Sequence, residues 1–353
     1  MSIARRLPRR PVIVRRMAMA SGTAAVTGAT GFIGSAVVRK LLAQKRTVRC
    51  LIEPSANLAN LEGLPVERIT CDVTDFATMK KALEGCETLF HLAAIYKTWL
   101  PDEEVIYRVN VEGTVSTLLA AQQAKVARVV YTSSIAAIGL VEGGLADETT
   151  KFNLFDIANP YILTKWQSER VAMRFADSGL PVVIVNPAFP FGPRDIAPTP
   201  TGGIIRALLN KEVPGHGPGG FCTIDVDDCA EGHLLAEDKG RIGERYILGN
   251  DNVSLKDFFD IVCKVAGLKT PKMPMPGALA AGVALGMELW ADHVSHKEPP
   301  ATYRSMRYAQ RSAFFSNAKA KRELNLPTRP LEETVRRAVE YFRGDFQTAR
   351  TRS

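Results

Sequence analysis

The sequence predicts an α/β protein with a doubly wound parallel sheet and a smaller, mostly helical C-terminal domain. From Thr23 to about Val185, short β-branched runs alternate with helical stretches. Most of the short runs are almost continuously apolar, which is typical of parallel strands buried on both faces. After Pro187 the pattern changes to loops rich in proline and glycine, followed mainly by helical segments.

The first part of the chain accounts for the predicted sheet. Strands are predicted at residues 24–26, 48–52, 68–70, 88–90, 129–131 and 182–185. Helices are predicted between them at residues 35–44, 77–83, 111–123 and 162–176. We therefore assign residues 21–187 to a nucleotide-binding domain of the Rossmann type, in which strands and helices alternate in this way.

The second part is predicted to bind substrate. Long loops at residues 187–203 and 213–220 precede or separate helices at 204–209, 226–236, 255–265 and 331–343, with a short apolar segment at 245–248. We assign residues 188–345 mainly to a substrate-binding domain, from which some segments could return to the sheet. Ligands of such sheets bind beyond the carboxyl ends of the strands, so we expect the substrate between the two domains.

The excess of positive charge is confined to the N-terminus. Six arginines lie within the first 16 residues, and removing them from the net charge of +8 leaves only +2. This distribution predicts a basic leader at residues 1–20 rather than a face that binds nucleic acid. An upstream start, with Met17 or Met19 as the true first residue, and a targeting or membrane-surface role remain alternatives. Residues 346–353 are predicted to be a tail.

Cysteine, histidine and hydropathy patterns exclude several classes. The six cysteines form no CxxC pair and lie mostly in apolar runs, which favours a reducing, cytoplasmic location. The histidines show no convincing metal-ligand spacing, so no metal site is predicted. The longest apolar run, residues 275–287, is shorter than the about 20 residues that a spanning helix needs, so no transmembrane segment is predicted. This run predicts a helix on the smaller domain, with peripheral membrane docking as an alternative.

A glycine-rich turn follows the first predicted strand. Gly28, Gly31 and Gly34 form a GxxGxxG pattern that leads directly into a helix. Such glycines permit a tight turn, a close approach of backbone to pyrophosphate and close packing of helix on strand. The helix N-terminus offers free N–H groups to the phosphates. We expect Thr30, Phe32 and Ile33 to complete this dinucleotide site.

Two acidic positions indicate which dinucleotide binds. Glu53 ends the second strand, where a carboxylate can accept hydrogen bonds from the ribose 2′-hydroxyl and would repel the 2′-phosphate of NADP. NAD is therefore the predicted cofactor and NADP the less favoured one. Asp72, followed by Val73, could accept from the adenine amino group, or it could be a turn residue.

A tyrosine, a lysine and a serine form the candidate catalytic set. Tyr161 and Lys165 are four residues apart, which places them on one face of a helix. A nearby ammonium stabilises tyrosinate, so Tyr161 could serve as general acid or base while Lys165 holds the nicotinamide ribose. Ser134 follows the strand at 129–131 and is expected to orient the substrate oxygen toward Tyr161.

With these motifs the chain resembles the extended short-chain dehydrogenase/reductase family from Thr23 to Phe342. The segments FHLAA at 90–94, NVEGT at 110–114, VDD at 226–228 and GERY at 243–246 fit the family pattern. The resemblance implies that Leu92, Ala93 and Ala94 line the cofactor. It also implies that Asn186 and Pro187 border the nicotinamide and the substrate.

Within that family, residues 90–99, 132–139, 182–203 and 240–249 resemble the hopanoid-associated sugar epimerases. This resemblance implies a nucleotide-sugar substrate and a place in hopanoid lipid biosynthesis. Sugar epimerases usually carry a diphosphate-binding arginine before the segment at 221–226. The chain has no arginine there, and Asp225 replaces the usual histidine. A rim of Phe189, Phe191 and Phe221 suits a lipid-linked polyol or another lipid-like substrate equally well.

Several alternatives remain open. The residues expected to contact substrate are Tyr96, Asn186, Phe189, Phe191 and Arg194. The first hypothesis is an NAD-dependent sugar epimerase. The second is a reductase or dehydrogenase of a ketone or alcohol in an apolar substrate, similar to dihydroflavonol 4-reductases and hydroxysteroid dehydrogenases, although such reductases usually carry an arginine where Glu53 lies. The third is a cofactor-sensing or scaffold protein without catalysis.

An assembly is also predicted by family resemblance. Members commonly form homodimers through the helices that follow Asn110 and Tyr161. The helix at 111–123 carries a stripe of Val111, Val115, Leu118 and Leu119 that could serve this contact. The alternative is that the stripe packs against the sheet.

Overall fold

The computed structural model describes residues 22–351, so the predicted leader at residues 1–20 lies outside the described residues. The strands are β1 (Thr23–Thr27), β2 (Val48–Ile52), β3 (Glu67–Thr70), β4 (Cys86–His91), β5 (Arg128–Thr132), β6 (Val182–Pro187), β7 (Phe189–Phe191), β8 (Gly215–His216), β9 (Gly220–Asp225), β10 (Arg245–Leu248), β11 (Asn252–Ser254), β12 (Met273–Pro274) and β13 (Ser312–Ala313). The helices are α1 (Phe32–Ala43), α2 (Phe76–Leu83), α3 (Glu104–Tyr107), α4 (Gly113–Gln123), α5 (Pro160–Asp177), α6 (Pro200–Leu209), α7 (Val226–Lys239), α8 (Leu255–Ala266), α9 (Gly277–Trp290), α10 (Tyr303–Ala309), α11 (Ala318–Leu324) and α12 (Leu331–Thr351).

A seven-stranded sheet with the order β10-β6-β5-β4-β1-β2-β3 organises the molecule. All neighbouring strands in it run parallel. The strand order reverses between β1 and β4, where a crevice opens beyond the carboxyl ends of the strands. This is the doubly wound Rossmann topology that the alternating sequence pattern predicts.

Helices cover both faces of this sheet. One face packs against α1 and α7, through residues such as Val38, Leu41 and Leu234. The other packs against α2, α4 and α5, through residues such as Met79 and Leu118. Because both faces are covered, the central strands contain almost no exposed residue, which explains their continuous apolar sequence.

The segment predicted as part of the second domain at 245–248 belongs to the large sheet. It forms β10, which pairs in parallel with β6 from Arg245 opposite Ile184 to Leu248 opposite Pro187. Helix α7, which precedes β10, packs on the large sheet. Helices α8 and α12, which follow β10, form a separate core with α6. The chain after Pro187 therefore contributes to both layers.

The smaller layer contains two short sheets. One has the order β11-β9-β13, with β7 also paired to β9, and the other pairs β12 with β8. An aromatic core of Phe191, Phe221 and Phe258 joins this layer to α8. The last helix extends to Thr351 and so includes most of the residues predicted as a tail.

Helix boundaries follow local capping chemistry. The side chain of Asn159 accepts a hydrogen bond from the backbone N–H of Ile162 at 2.9 Å, and Pro160 occupies the first turn of α5. Asp225 caps α7 in the same manner by accepting from Asp227 N at 2.8 Å. Within residues 22–351, no helix is both long and apolar enough to cross a membrane.

Candidate active site

The glycine loop adopts the conformation that the GxxGxxG pattern predicts. Gly28 has φ of +65°, and a Cβ atom there would lie 2.8 Å from the backbone nitrogen of Ala93. A Cβ atom on Gly34 would lie 2.0 Å from the carbonyl oxygen of Gly28. Larger residues would therefore collide with the backbone at both positions. The loop leads into α1, whose first turn contains no acidic side chain that would compete for its N–H groups.

The loop faces the carboxyl end of β4 across the crevice. The Thr27 hydroxyl accepts hydrogen bonds from the backbone nitrogens of Leu92 and Ala93, both at 3.1 Å, and so joins the two strand ends. Thr30, Ile33, Leu92, Ala93 and Ala94 are all partly exposed, whereas Phe32 is buried beneath the loop. This backbone cradle fits a dinucleotide because its walls are backbone and small apolar side chains.

The ends of β2 and β3 carry the two predicted adenosine contacts. Glu53 is exposed and accepts a hydrogen bond from the Ser55 hydroxyl at 2.5 Å. Asp72 accepts from both the backbone nitrogen and the hydroxyl of Thr74 at 2.8 Å, so its carboxylate forms a turn. Val73 is partly buried, close to Gly113 of α4. Asp72 therefore has the turn role that the sequence analysis gave as an alternative to an adenine contact.

Ser134, Tyr161 and Lys165 lie together at the carboxyl end of β5. The Lys165 ammonium donates to the carbonyl oxygen of Thr132 at 3.0 Å, and the Ser134 hydroxyl oxygen accepts from Ala136 N at 3.1 Å. Lys165 is buried, whereas Tyr161 is partly exposed and therefore reachable from the crevice. The Ser134 side chain also interacts with the Tyr161 hydroxyl, and the geometry leaves two Lys165 N–H groups available for ligands.

Burial dominates the protonation of this set. Burial raises the pKa of Tyr161, and its interaction with the Ser134 side chain opposes that rise. Burial lowers the pKa of Lys165 to about 8, while the charge of Glu169 acts in the opposite direction. The net direction for the pKa of Tyr161 is opposite to the lowering expected from a nearby ammonium, because burial is the largest cause.

A buried carboxylate supports α5, the helix that carries Tyr161 and Lys165. Glu169, one turn after Lys165, receives an ion pair from Arg245 at 2.8 Å and a hydrogen bond from the Asn186 amide at 2.6 Å. The same Asn186 amide donates to the carbonyl oxygen of Ser134 at 2.9 Å. Asn186 is fully buried, so its side chain positions Ser134 and α5 instead of bordering open space. Pro187 ends β6 and is also buried.

Two further residues fix the walls of the crevice. His91 is buried beside Thr27, with Nδ1 at 2.8 Å from the threonine hydroxyl, and burial together with the charge of Lys165 lowers the pKa of His91 to about 3. Asn110 exchanges hydrogen bonds with the backbone of Ile95 at 2.8 and 2.9 Å and donates to Thr164 at 3.0 Å. Asn110 therefore connects the segment after β4 to α5.

The predicted aromatic rim is largely part of the core. Phe191 and Phe221 are buried, and Phe191 packs on Phe258 with ring centroids 4.8 Å apart. Their strands pair with each other, so their rings enter the hydrophobic layer between the β9 sheet and α8. This placement corrects the expected substrate contact of Phe191. Only Phe189 of the three keeps a partly exposed ring.

Tyr96 and Arg194 lie on the open side of the crevice. Tyr96 is 42% exposed, and its partial burial together with the negative charges of Asp195 and Glu298 raises its pKa. Arg194 is exposed and has φ of +72°, and its carbonyl oxygen accepts from the Asn60 side chain at 3.3 Å. The Asn60 side chain also donates to the carbonyl oxygen of Thr30, so it joins the glycine loop to the loop after β7.

Residues that the sequence did not single out complete the site. Tyr308 of α10 packs in the same apolar cluster as Tyr161, and burial beside Tyr161 raises its pKa. Glu169 and Asn60 are the other additions. Arg245, which the sequence analysis named only as part of the GERY segment, pairs with Glu169. Tyr308 comes from a distant chain segment, so local spacing carried no signal for it. Glu169 did have a signal, since it lies four residues after Lys165 on the same helical face.

Asp225, which stands where a histidine is usual in the family, is a structural residue. Its carboxylate is fully buried and forms ion pairs with Arg329 at 2.9 Å and with Arg337 at 2.7 Å. These contacts connect the end of β9 to α12. All six residues of β9 are buried, and none of them is an arginine that could hold a diphosphate.

The stripe predicted for dimer formation is divided between two environments. Leu118 is buried against the sheet, while Val115 and Leu119 are exposed on the outer surface of α4. Val111 lies before α4 in a π-helical turn and is partly buried. Leu118 therefore packs against the sheet, whereas Val115 and Leu119 remain accessible for a contact between copies. A homodimer stays a prediction.

A Rossmann sheet with a glycine-loop cradle and a neighbouring tyrosine, lysine and serine defines the class of nicotinamide-dependent oxidoreductases. The family model for the NAD dependent epimerase/dehydratase family matches residues 24–249. The chain belongs to this family, and it is an NAD-dependent oxidoreductase or epimerase.

Named relatives span most of the chain. A Synechocystis sp. protein provisionally named as a dihydroflavonol 4-reductase is 38% identical over 90% of this chain and 94% of its own length. Sterol demethylase protein B of Methylococcus capsulatus is 34% identical over 91% of this chain and 98% of its own length. The crystal structure of gox2253 superposes with a TM-score of 0.82 at 40% identity, covering 92% of this chain and 98% of that one.

Proposed function

We propose that the protein interconverts a secondary alcohol and a ketone in an apolar, lipid-like substrate, using a nicotinamide dinucleotide. The observation that carries the proposal is the meeting of the partly exposed Tyr161 with Ser134 and Lys165 beside the glycine-loop cradle. The bound dinucleotide would supply the chemistry of hydride transfer, by accepting a hydride from the carbinol carbon or donating one to the carbonyl carbon.

Residues of the chain would donate and accept the proton. In the direction of ketone reduction, the Ser134 hydroxyl donates a hydrogen bond to the carbonyl oxygen, and Tyr161 transfers its phenolic proton to that oxygen as the alcohol forms. The raised pKa of Tyr161 favours this direction at neutral pH, because the phenol then holds its proton before the reaction. In the reverse direction Tyr161 takes the hydroxyl proton. Lys165, fixed by the Thr132 carbonyl, would hold the ribose next to Tyr161.

We propose NAD as the dinucleotide. Glu53 places an exposed carboxylate at the end of β2, where it would meet the adenosine ribose. A 2′-phosphate at this point would be repelled. The Ser55 hydroxyl, which donates to this carboxylate, keeps it in place.

The apolar substrate class rests on two kinds of support. Buried β9 offers no cation for a diphosphate, and Phe189 presents an aromatic surface on the neighbouring strand. The names of two relatives also indicate apolar substrates: sterol demethylase protein B, and a ketoreductase of a farnesyl-substituted dihydroquinoline oxide from Stigmatella aurantiaca that is 30% identical.

A sugar epimerase, with a place in hopanoid biosynthesis, is the second candidate. Glu53 favours it, since an epimerase that regenerates NAD in each cycle requires no exchange with NADPH. A structure of a nucleoside-diphosphate-sugar epimerase from Pseudomonas aeruginosa also superposes with a TM-score of 0.77 at 29% identity. The hopanoid part of this candidate rests on resemblance alone.

Two assays distinguish the candidates. The purified protein is first desalted and assayed for retained dinucleotide, and is then supplied with NADH and a panel of medium-chain aliphatic ketones. Consumption of NADH that depends on both ketone and Tyr161 supports the reductase. Tightly retained NAD, no NADH consumption and conversion of a UDP-sugar to its epimer would overturn it in favour of the epimerase. Tyr303→Phe is the matched control, at a partly buried tyrosine of α10 whose hydroxyl accepts from Arg307 at 2.9 Å.

A further inference from the structure

Helix α9 exposes an apolar face without a partner among residues 22–351. Nine of its 14 residues are exposed, and every one is apolar or glycine: Ala278, Leu279, Gly282, Val283, Leu285, Gly286, Met287, Leu289 and Trp290. Leu279 is 66% exposed and Trp290 62% exposed. A helix that is apolar on nearly all sides normally lies inside a protein or in contact with lipid.

The inner face of α9 is firmly attached to the molecule. Ala281 and Ala284 are buried against the body, and the single charged residue of the helix, Glu288, turns inward to accept from the backbone nitrogen of Tyr303 at 2.7 Å. At the start of the helix, the Gln310 side chain donates to the carbonyl oxygen of Gly277 at 2.7 Å. The exposed face is thus the outer side of a fixed helix that already has its own packing surface.

A basic and an aromatic side chain, Lys297 and Trp290, line a groove beside this face. An open groove of about 490 Å³ beside the helix is lined by Val283, Met287, Trp290 and the segment 295–300, which includes the exposed Lys297. The acidic neighbour Glu298 is neutralised by Lys97 at 2.7 Å, and Asp292 accepts from the Trp99 indole at 2.7 Å. Exposed His293 and Lys272 flank the helix in sequence. Tryptophan and lysine beside an apolar face are typical of helices that lie at a membrane surface.

The same helices reach the candidate active site. Helix α10 packs on α9 and places Tyr308 in the cluster that contains Tyr161. The end of α9 contacts the segment after β4 through the pair formed by Trp99 and Asp292. The groove beside α9 therefore lies near the segment that carries Tyr96, because Glu298 of its lining pairs with Lys97.

We propose that α9 docks on the surface of a lipid bilayer that contains anionic headgroups, with its axis in the plane of the membrane. Leu279, Val283, Met287 and Trp290 would enter the acyl boundary while Lys297 meets the headgroups. The proposal rests on the proposed function in one respect: an apolar substrate could then pass from the bilayer into the crevice. No helix needs to span the membrane for this contact.

A second copy of the chain is a less suitable occupant. The helix is about 21 Å long and about 10–12 Å wide, so its face offers a few hundred Å². A stable protein interface needs about 800 Å² from each partner. Docking on a bilayer has no such threshold, since it depends on the apolar side chains inserted and on attraction to anionic lipid.

The test is co-sedimentation of the full chain with vesicles of phosphatidylcholine and phosphatidylglycerol. We expect the wild type to bind, and the double variant Val283→Glu and Met287→Glu to lose about 100-fold in partitioning, because two charges replace two inserted apolar groups. Leu145→Glu is the matched control, as Leu145 is an exposed apolar residue of a loop outside this face. It should bind as the wild type does.

Two outcomes would overturn the docking proposal. The first is equal binding of the double variant, which would assign vesicle binding to the arginines in residues 1–16, since the variant retains them. The second is absence of vesicle binding together with a dimer, seen by light scattering, that the double variant converts to monomer. A blue shift of tryptophan fluorescence with vesicles that disappears in Trp290→Phe supports the proposal.

The docking proposal and the proposed function can fail separately. Tyr161→Phe should abolish turnover and bind vesicles like the wild type. The double variant should keep its rate on a water-soluble ketone. Absence of vesicle binding by the wild type, with normal turnover, would contradict only the docking. Wild-type binding without any turnover would contradict only the proposed reaction.

Discussion

At the scale of single residues, burial determines the protonation states available for the proposed reaction. It raises the pKa of Tyr161 and lowers the pKa of Lys165 to about 8. Near neutral pH the tyrosine is therefore protonated and the lysine mostly charged. This combination suits a proton donor beside a cation that orients a ligand, and it predicts a fall in ligand binding as Lys165 loses its proton above about pH 8.

Tyr161→Phe tests the proton donor. Removing the hydroxyl leaves the ring and its packing in place, so kcat should fall about 10²–10⁴-fold, the range usual for a lost general acid. Dinucleotide affinity, measured by fluorescence titration, should change little. A variant that retains most of the wild-type rate would assign the proton transfer to another group, and Tyr308 is the neighbouring phenol to examine next.

Glu53→Ala tests the selection of NAD. Without the carboxylate, repulsion of a 2′-phosphate disappears and the hydrogen bonds to the ribose 2′-hydroxyl are lost. The ratio of NAD to NADP affinity should fall at least about tenfold, which corresponds to about 1.4 kcal/mol. Ser55→Ala, which removes the group that holds the carboxylate, should produce a smaller change in the same direction. An unchanged ratio would exclude Glu53 from the adenosine site.

At the scale of elements, Glu169 unites three pieces of the molecule. It lies on α5, pairs with Arg245 of β10 and accepts from Asn186 of β6. The carboxylate is almost fully buried, so its partners have no water to replace it. The edge strand β10 is thereby connected to the helix that carries Tyr161 and Lys165.

Glu169→Gln should lower both the stability of the fold and the pKa of Lys165. Leaving the Arg245 cation without its partner should cost about 3–5 kcal/mol, measured by urea denaturation. Because the Glu169 charge raises the pKa of Lys165, its removal should also shift the alkaline limb of the kcat/KM profile to lower pH. A purely structural residue would change stability without moving that limb. Glu323→Gln, at an exposed ion pair with Arg241, is the control.

At the scale of the whole molecule, buried neutral histidines connect stability to pH. His233 of α7 faces β5, with Nε2 at 3.0 Å from the Thr132 hydroxyl and Nδ1 at 2.7 Å from the Cys229 carbonyl oxygen. Burial lowers the pKa of His233 from 6.5 to about 4. As pH falls, the unfolded chain binds this proton first, so the folded state loses stability between about pH 6.5 and pH 4.

His233→Asn should remove one group that binds a proton more readily in the unfolded chain than in the folded state. Compared with the wild type, its free energy of unfolding should fall less steeply, by about 1.4 kcal/mol per pH unit, across the range from pH 6 to pH 5. The comparison must be made between variants, because Asp195 acts oppositely. Burial raises the pKa of Asp195 to about 6, so the folded state binds this proton before the unfolded chain does. The folded state therefore gains stability at Asp195 as the pH falls below about 6. Parallel pH profiles for wild type and variant would show that His233 does not titrate on unfolding.

The sequence alone determined the features that depend on local pattern. Alternating apolar runs predicted the parallel sheet, since strands buried on both faces consist mostly of apolar residues. The glycine spacing predicted the cradle, because Gly28 and Gly34 lie where any Cβ would strike the backbone. The spacing of Tyr161 and Lys165 predicted their shared face, since helical geometry fixes it.

Tertiary structure decided everything that depends on which distant segments meet. It placed β10 in the large sheet, Phe191 in the core, Asn186 behind Ser134 and Tyr308 beside Tyr161. It also left the apolar α9 on the surface, although its composition alone predicts burial as readily. A residue's neighbours along the chain set its local conformation. Its exposure and pKa depend on long-range packing, which a local pattern does not contain.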